Sequence, residues 1–534
     1  MNKTNYPPLE PVLPMREIQG IVVPGFLKPH QTLVGVRFPL GSKAILNVKK
    51  FLARIADDVS TAEQTLLDRR RHRNMPRDPQ QSSEFTSEVM LAVAVSYSGL
   101  CKLAPDASLM SSEAFRAGLV TRSRLLGDPH DGPGSLPSWV VGGPGKELDG
   151  LFVVAGNNRI KVSERAKGLV REATSTSIEI LYCEDGDVRS DFPGREHFGF
   201  NDGVSQPGIR GRASNKVDDY ITPRHIVSNQ APAAYLFGYP GQDLVWPGVL
   251  VLGQPGPSPD PLFPGLPTSA LPNWTTNGSF LVFRRLVQDV GLFWRTMRRI
   301  AQDLSKKLGF EGIDDTWLAA RLVGRWQSGA PVNRVPNGDN LDLGHSHYAN
   351  NHFRFDSDCG KLEIVSGYKD NFPMSVADPA GMTCPWAAHI RKLNTRDSGS
   401  DTGGRDSTYL RRLLRVGVPF GPPLDDPYAR RNQDTNFCKR GLLFLSIQAS
   451  IEDQFEFLVA RWMGDPSRPK MPGGHDILTG QNDALGENRV RRCVIFGADA
   501  QQAEVSTDAQ WIIPTGGGYF FVPSISALRD VLGG

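Results

Sequence analysis

Short apolar runs alternate with amphipathic stretches in the first half of the chain. Residues 44–59 and 162–174 carry apolar side chains at helical spacing, which predicts two helices. The shorter apolar runs around them are typical of buried strands and lie at 33–38, 88–98, 151–155 and 178–183. This order predicts two strand–helix–strand units ahead of the glycine-containing stretch 194–208.

The second half repeats the order. Apolar runs predict strands at 248–252, 280–283, 441–450 and 519–522, and helical patterns occupy 290–308 and 455–462. Two similar halves indicate an α+β protein built from two ferredoxin-like domains with antiparallel sheets. We predict a Pro-rich N-terminal arm at 1–17, an N-terminal domain at 18–240 and a C-terminal domain at 241–534. A linker-like segment, 254–272, follows that boundary and holds seven prolines.

Composition narrows the class of protein. The chain has 534 residues, 39% hydrophobic and 22% charged, and a net charge of +3, so we expect a globular protein that does not bind nucleic acid. Six cysteines without CxxC spacing argue against disulfides, a zinc ribbon or covalently attached haem. Because we find no signal peptide, twin-Arg pair or long apolar run, we expect a cytoplasmic protein without membrane contact.

The first candidate for chemistry is the turn that surrounds Asp202. The sequence Gly199-Phe200-Asn201-Asp202-Gly203 places a carboxylate between residues that favour a tight turn, where it is held at a fixed place. An Asn-Asp-Gly turn is also common without any catalytic task, because the aspartate bonds its own backbone. This stretch alone favours the structural role.

Two further segments carry histidine and arginine. His389 lies between an apolar side and a cluster of cations, a pattern that suits an iron ligand at a haem edge, although a structural histidine is the more frequent outcome. Arg415 precedes the Gly/Pro turn 416–421. Its guanidinium is either a surface charge or a group that stabilises negative charge as an O–O bond breaks.

The three segments 199–203, 388–396 and 415–421, in this order, resemble the dye-decolorizing peroxidases, and more closely the longer-chain classes of that family. The resemblance extends over roughly residues 16 to 530. It implies one non-covalent haem b per chain, held mainly by the C-terminal half, while the N-terminal domain carries the GxxDG motif.

The resemblance also implies the roles of particular residues. His389 would be the proximal iron ligand, Asp202 the distal acid/base and Arg415 the distal cation. Leu442 and Phe444 would line the distal pocket. The candidates for holding the haem propionates or the nearby loop are Arg391, Asn394 and Arg396. Asp476 is our candidate acceptor for the His389 N–H, with Glu452 as the alternative, since an acidic partner makes the ligand more electron-rich.

The function that follows is a haem peroxidase. It would reduce hydrogen peroxide and oxidise small aromatic donors such as dyes and phenolic compounds through a ferryl intermediate, with homo-oligomerisation left open. The alternative is a haem-handling protein for storage, transport or iron release, which needs His389 but neither Asp202 nor Arg415. A duplicated α+β protein without haem is the third alternative.

Several positions depart from the family pattern. Thr395 occupies the position of the usual proline, which we expect to loosen the loop that carries Arg396. Gly417 occupies the position where compact members carry an amide side chain in the distal pocket, so catalysis would depend more on Asp202 and Arg415. Segments 360–380 and 397–406 resemble insertions, which we interpret as surface loops. His345, His347 and His352 have metal-ligand spacing, although a surface cluster is the more frequent outcome.

Overall fold

The computed structural model describes residues 8–74, 89–226, 233–308, 312–359, 365–434, 436–470, 473–481, 490–497 and 501–534. Its strands are β1 (His30–Arg37), β2 (Met90–Val95), β3 (Gly150–Gly156), β4 (Glu179–Asp187), β5 (Gly208–Ile209), β6 (Leu244–Val245), β7 (Ser279–Gln288), β8 (Leu414–Arg415), β9 (Val418–Phe420), β10 (Gly441–Gln448), β11 (Arg491–Phe496), β12 (Gln502–Thr507) and β13 (Ile512–Val522).

The helices cover the sheet and its loops. They are α1 (Ser42–Ile55), α2 (Ala62–Asn74), α3 (Tyr97–Leu103), α4 (Glu113–Arg122), α5 (Arg159–Ser175), α6 (Ala233–Leu236), α7 (Val290–Leu308), α8 (Asp315–Val323), α9 (Leu341–His345), α10 (His389–Leu393), α11 (Arg405–Tyr409), α12 (Ile451–Met463) and α13 (Ala527–Val531). The last two are wound with π-type turns. Short 3₁₀ turns lie at Pro105–Leu109, Leu136–Ser138, Pro247–Val249, Asn273–Thr275, Arg431–Gln433 and Phe437–Lys439. In the parts of the chain that the structure describes, no helix is both long and apolar enough to cross a membrane.

Nine of the described strands form one antiparallel sheet. Its order is β4-β1-β3-β2-β13-β7-β10-β8, and β9 also pairs with β10. The first four strands follow the 4-1-3-2 order of a ferredoxin-like unit. The order β13-β7-β10-β8/β9 repeats it with strands of the second half. The predicted fold class, α+β with two ferredoxin-like units, is therefore confirmed, whereas the domain boundary at 240 stays a prediction.

The sheet curls until its two ends meet. Gly186 of β4 lies so close to β9 that a Cβ at this position would be 2.3 Å from Val418 Cγ1. Gln31 of β1 donates a hydrogen bond to the carbonyl of Val416 at 3.1 Å. Inside the curl, side chains such as Phe283 and Leu445 form an apolar core. The opposite face is covered by helices in the first half and by the candidate site in the second.

Two predicted features differ from the structure. The predicted strand at 248–252 is wrong, because Pro247 has no N–H for a ladder and instead begins the 3₁₀ turn Pro247–Val249. The predicted arm is wrong in its described part, since Leu13 and Met15 are buried in the core. Glu10 is buried as well and accepts hydrogen bonds from Arg224 at 2.6 Å.

The two predicted insertions pack against the protein where the structure describes them. Asp370 forms a buried ion pair with Arg334 at 2.9 Å. Asp401 accepts a hydrogen bond from Trp462 Nε1 at 2.9 Å. These buried carboxylates give both segments defined positions, so the interpretation as loose surface loops does not hold there. Residues 360–364 lie outside the described ranges.

We expect Leu445→Ala to lower the free energy of unfolding by about 2–5 kcal/mol, because the side chain is fully buried inside the curled sheet. Leu266, which is 89% exposed, provides the control, and Leu266→Ala should change stability by less than about 0.5 kcal/mol. Chemical unfolding of both variants measures the difference. Equal losses would contradict the inward placement of Leu445.

Candidate active site

A cavity of about 330 Å³ lies between the sheet of the second half and helices α10 and α12. Alternate residues of two paired strands form one wall, Leu286 and Gln288 on β7 and Leu442 and Phe444 on β10. Their neighbours along each strand point into the core of the curled sheet, because successive strand residues face opposite sides. The cavity volume is within the range of small-molecule and cofactor sites.

His389 is the first residue of α10 and lines this cavity, with 22% of its side chain exposed. Its Nδ1 donates a hydrogen bond to Asp476 Oδ2 at 2.7 Å, which is the contact predicted from the sequence. Thr479 Oγ1 lies 3.2 Å from the same nitrogen. With the proton fixed on Nδ1, Nε2 keeps the lone pair that a metal requires.

The carboxylate of Asp476 is fully buried and fully hydrogen bonded. Thr479 Oγ1 donates to Oδ2 at 2.5 Å, and the backbone N–H groups of Leu478 and Thr479 donate to Oδ1 at 3.1 Å each. Burial acts to raise the pKa of this carboxyl, but the charge of His389 and these hydrogen bonds outweigh it and hold the pKa below its ordinary value. Glu452, the alternative, instead accepts bonds from Ser112 and Ala114.

Asp202 is held by the backbone of its own turn. Its N–H donates to the carbonyl of Gly194 at 3.0 Å, and the N–H of Gly203 donates to Asp202 Oδ1 at 2.6 Å. Gly203 has a φ of 75°, a left-handed conformation that glycine adopts without steric cost. The carboxylate remains 45% exposed and lines the cavity. It is thus fixed in position while one side stays accessible.

Arg415, on β8, is tied to this turn by Gln206. The Gln206 amide donates to the carbonyl of Arg415 at 2.9 Å and accepts from its N–H at 3.2 Å. Arg415 Nη2 then lies 3.7 Å from Asp202 Oδ1. This ion pair is too long for a hydrogen bond, so both groups keep hydrogen-bonding capacity for a third molecule in the cavity.

A second group of cations borders the cavity at another edge. Arg405 and Arg412 both pair with Asp243, and Arg412 also donates to Asn394 Oδ1 at 2.6 Å. Arg396 bonds carbonyl and amide oxygens, and in the described ranges it has no ion-pair partner. Burial lowers the pKa of Arg396 to about 10, with Asp243 opposing this shift and Arg412 adding to it. The edge carries surplus positive charge suited to carboxylate groups.

Most of the predicted residues meet at this cavity. The exceptions are Asp476, which contacts the cavity residue His389, and Arg391, which is fully buried behind the cavity. Its guanidinium stacks 3.9 Å from the centre of the Trp386 ring and donates to the carbonyl of Cys384 at 2.8 Å. Of the two roles predicted for Arg391, a propionate partner or an anchor for the nearby loop, these contacts fit the second, because the side chain holds the loop before α10.

Several cavity residues had no predicted role, among them Glu196, Arg412 and Thr479. Arg412 belongs to the basic run before Arg415, and charge alone could have marked it. Thr479 lies three residues after Asp476, a spacing at which a hydroxyl can donate a hydrogen bond to the aspartate across a tight turn. Glu196 gives no comparable signal, because the sequence places it in a loop and a glutamate in a loop is expected to be exposed.

The histidine cluster does not form a metal site. His352 lies 3.1 Å from Cys359 Sγ. Burial lowers the pKa of His352 to about 4, so the imidazole is neutral. Among the described residues, no three metal-ligating side chains come together.

Comparison with known proteins identifies the family. Residues 17–190 match the model of the DyP dimeric alpha+beta barrel domain. Dye-decolorizing peroxidase msp1 of Mycetinis scorodonius is 30% identical over 453 residues, which cover 82% of this chain and 76% of that protein. The chain belongs to the dye-decolorizing peroxidase family.

Solved structures agree with this assignment. An ancestral D-type dye-decolorizing peroxidase superposes with a TM-score of 0.74 at 29% identity, covering 98% of this chain and 99% of that one. A fungal DyP-type peroxidase from Auricularia auricula-judae gives 0.71 at 26% identity, with 98% and 99% covered. The predicted family is confirmed, and the alternative without haem is excluded.

The cofactor of this family is haem b, and the cavity fits it. His389 offers a metal-binding nitrogen with a buried carboxylate behind it. Leu442, Phe444 and Leu458 give the apolar contacts that a porphyrin needs. The buried Arg412 Nε has no described partner, and it lies at the edge where Arg396 adds surplus charge. Propionates would complete this edge.

We expect Asp476→Asn to weaken haem binding about 10- to 100-fold, as loss of a metal ligand's outer partner does, because the amide cannot carry the charge that supports His389. Titration of the apoprotein with haem measures the affinity. Asp149 is the matched control, since it is also buried and binds Lys102 at 2.6 Å without lining the cavity. Asp149→Asn should keep the wild-type affinity, and an equal loss in both variants would contradict the role of Asp476.

Proposed function

We propose that this protein reduces hydrogen peroxide at haem b and oxidises organic donors such as dyes and phenolic compounds. The observation that carries the proposal is the pair of Asp202 and Arg415, 3.7 Å apart, in the same cavity as His389. A haem-handling protein requires the ligand but gains nothing from a fixed carboxylate and a guanidinium beside it. The paired groups favour a catalyst.

Asp202 is the proton carrier of the proposed reaction. Its accessible carboxylate accepts the proton of peroxide and returns it to the oxygen that leaves as water. Bound haem b supplies the redox-active iron. Overall, peroxide takes up two electrons and two protons and forms two waters, and two donor molecules are each oxidised by one electron.

Arg415 acts on charge rather than on protons. Its guanidinium stays protonated and offsets the negative charge that develops on oxygen while the O–O bond breaks. Gln206 keeps this cation at a constant place relative to Asp202, because its amide forms hydrogen bonds with both the N–H and the C=O of Arg415. The Gln206 side chain thus links the residue that transfers the proton to the residue that stabilises the negative charge.

The other cavity residues bind and orient the cofactor. His389 would ligate the iron through Nε2, with Asp476 and Thr479 holding Nδ1. Arg396, Arg412 and Asn394 would hold the propionates, while Leu442 and Phe444 exclude water from the distal wall. The domain division at 240, the cytoplasmic location and any homo-oligomer stay predictions.

We expect at least one of two variants, Asp202→Asn or Arg415→Leu, to react with peroxide at least roughly a hundredfold more slowly than wild type. This factor is the size of a general acid/base contribution. Stopped-flow absorbance of the haem-loaded ferric protein after mixing with peroxide measures the rate. Asp57 and Arg529 form a surface ion pair at 2.8 Å and provide matched controls, Asp57→Asn and Arg529→Leu. Wild-type rates in both distal variants would refute the mechanism.

We expect His389→Ala to lose haem or its normal Soret band, because Nε2 is the proposed iron ligand. The absorbance spectrum of the purified, haem-loaded variant is the measurement. An unchanged spectrum would show that another residue ligates the iron.

A further inference from the structure

Glu196 lines the same cavity as Asp202 and has no task in the mechanism above. Its carboxylate accepts two backbone hydrogen bonds, from Phe198 N at 2.9 Å and from Phe200 N at 2.8 Å. The Gln288 side-chain amide of β7 donates a third bond. A carboxylate on the wall of an active-site cavity is thus satisfied by three donors.

These bonds shape the turn that carries Asp202. The backbone of Glu196 also closes the loop, donating to the carbonyl of Phe200 at 3.0 Å and accepting from Gly199 N at 2.9 Å. Residues 196–200 therefore wrap around one carboxylate, and Asp202 follows two residues later. A change in the charge of Glu196 alters the hydrogen bonds that hold this loop.

A protonated Glu196 needs an acceptor, and the Gln288 amide provides one if it turns over and presents its oxygen. The flip gives up the bond from His197 N to that oxygen, which is a long one at 3.4 Å. Burial raises the pKa of Glu196 to about 7, the three hydrogen bonds oppose this shift, and the negative charge of Asp202 adds to it.

Several charged or titratable groups surround Glu196. Its own turn carries Asp202 and His197, and Arg189 of the preceding segment donates to the Glu196 carbonyl at 2.9 Å. The other facing elements carry Arg415 on β8 and Arg284 on β7. Burial lowers the pKa of His197 to about 4, so it stays neutral when Glu196 titrates.

We propose that Glu196 is a positioning residue for Asp202: in its ionised form it closes the turn that carries Asp202 and places a second negative charge near it. The inference rests on the proposed role of Asp202. Protonation of Glu196 weakens the hydrogen bonds from Phe198 N and Phe200 N, which loosens the loop that places Asp202. The reaction with peroxide should become faster as Glu196 ionises.

The pH dependence of the peroxide reaction tests this inference. In the wild-type holoenzyme, we expect the rate constant to rise about fivefold or more through a step near neutral pH, the lower end of typical coupling between two sites. Glu196→Gln should lose this step. A neutral-pH step that persists in Glu196→Gln, or that is absent from wild type, would overturn the inference.

Glu452 supplies the matched control. It is a partly buried glutamate that also accepts a backbone N–H, from Ala114 at 2.7 Å, but it does not line the cavity. Glu452→Gln should retain the step near neutral pH, and loss of that step in this variant would overturn the assignment to Glu196. If Asp202→Asn and Arg415→Leu both react like wild type, the proposed function itself fails, a result separate from the fate of the neutral step.

A readout independent of activity keeps the inference testable if Glu196→Gln does not fold. Infrared titration of the wild-type protein should show a carboxyl C=O band that disappears as the pH rises through neutrality. In Gln288→Met the same band should disappear at higher pH, because one hydrogen bond that favours the charged form is lost. An unchanged midpoint in Gln288→Met would contradict the contact on which the proposal depends.

Discussion

The central constraint in this molecule is the two-residue period of its strands. In the second half, β7 and β10 use alternate side chains for two different environments, so Phe283 and Leu445 fill the curled sheet while Leu286 and Phe444 form the wall of the cavity. A shift of one residue in the pairing would exchange core and cavity surfaces together. The stability of the sheet and the shape of the cavity therefore both depend on the same strand register.

Polar groups in the site are fixed by backbone contacts rather than by other side chains alone. Asp476 is held by two N–H groups of its own turn, and Gln206 grips both backbone groups of Arg415. A backbone partner keeps its position when neighbouring rotamers change. The acid, the cation and the iron ligand thereby keep a constant geometry in a cavity whose other walls are mostly apolar.

The fold and much of the site could be predicted from the sequence because local pattern carries them. Short apolar runs marked the longer strands of the main sheet, and the ordered segments around Asp202, His389 and Arg415 marked the site. The failures have a physical cause. Arg391 lies two residues after His389 on α10, about 200° around the helix, so its side chain points away from the cavity and toward Trp386. The local motif does not show which side of this short helix is buried. Glu196 gains its environment from Gln288, which is 92 residues away.

The tie between Gln206 and Arg415 joins parts of the chain that are 209 residues apart. Asp202 follows β4, the last strand of the first four-stranded unit, whereas His389 and Arg415 lie between β7 and β10 of the second. The proposed catalytic groups therefore come from both parts of the chain and meet at one cavity. A substitution that loosens the packing between these parts would move Asp202 away from the other two groups even if each part kept its own fold.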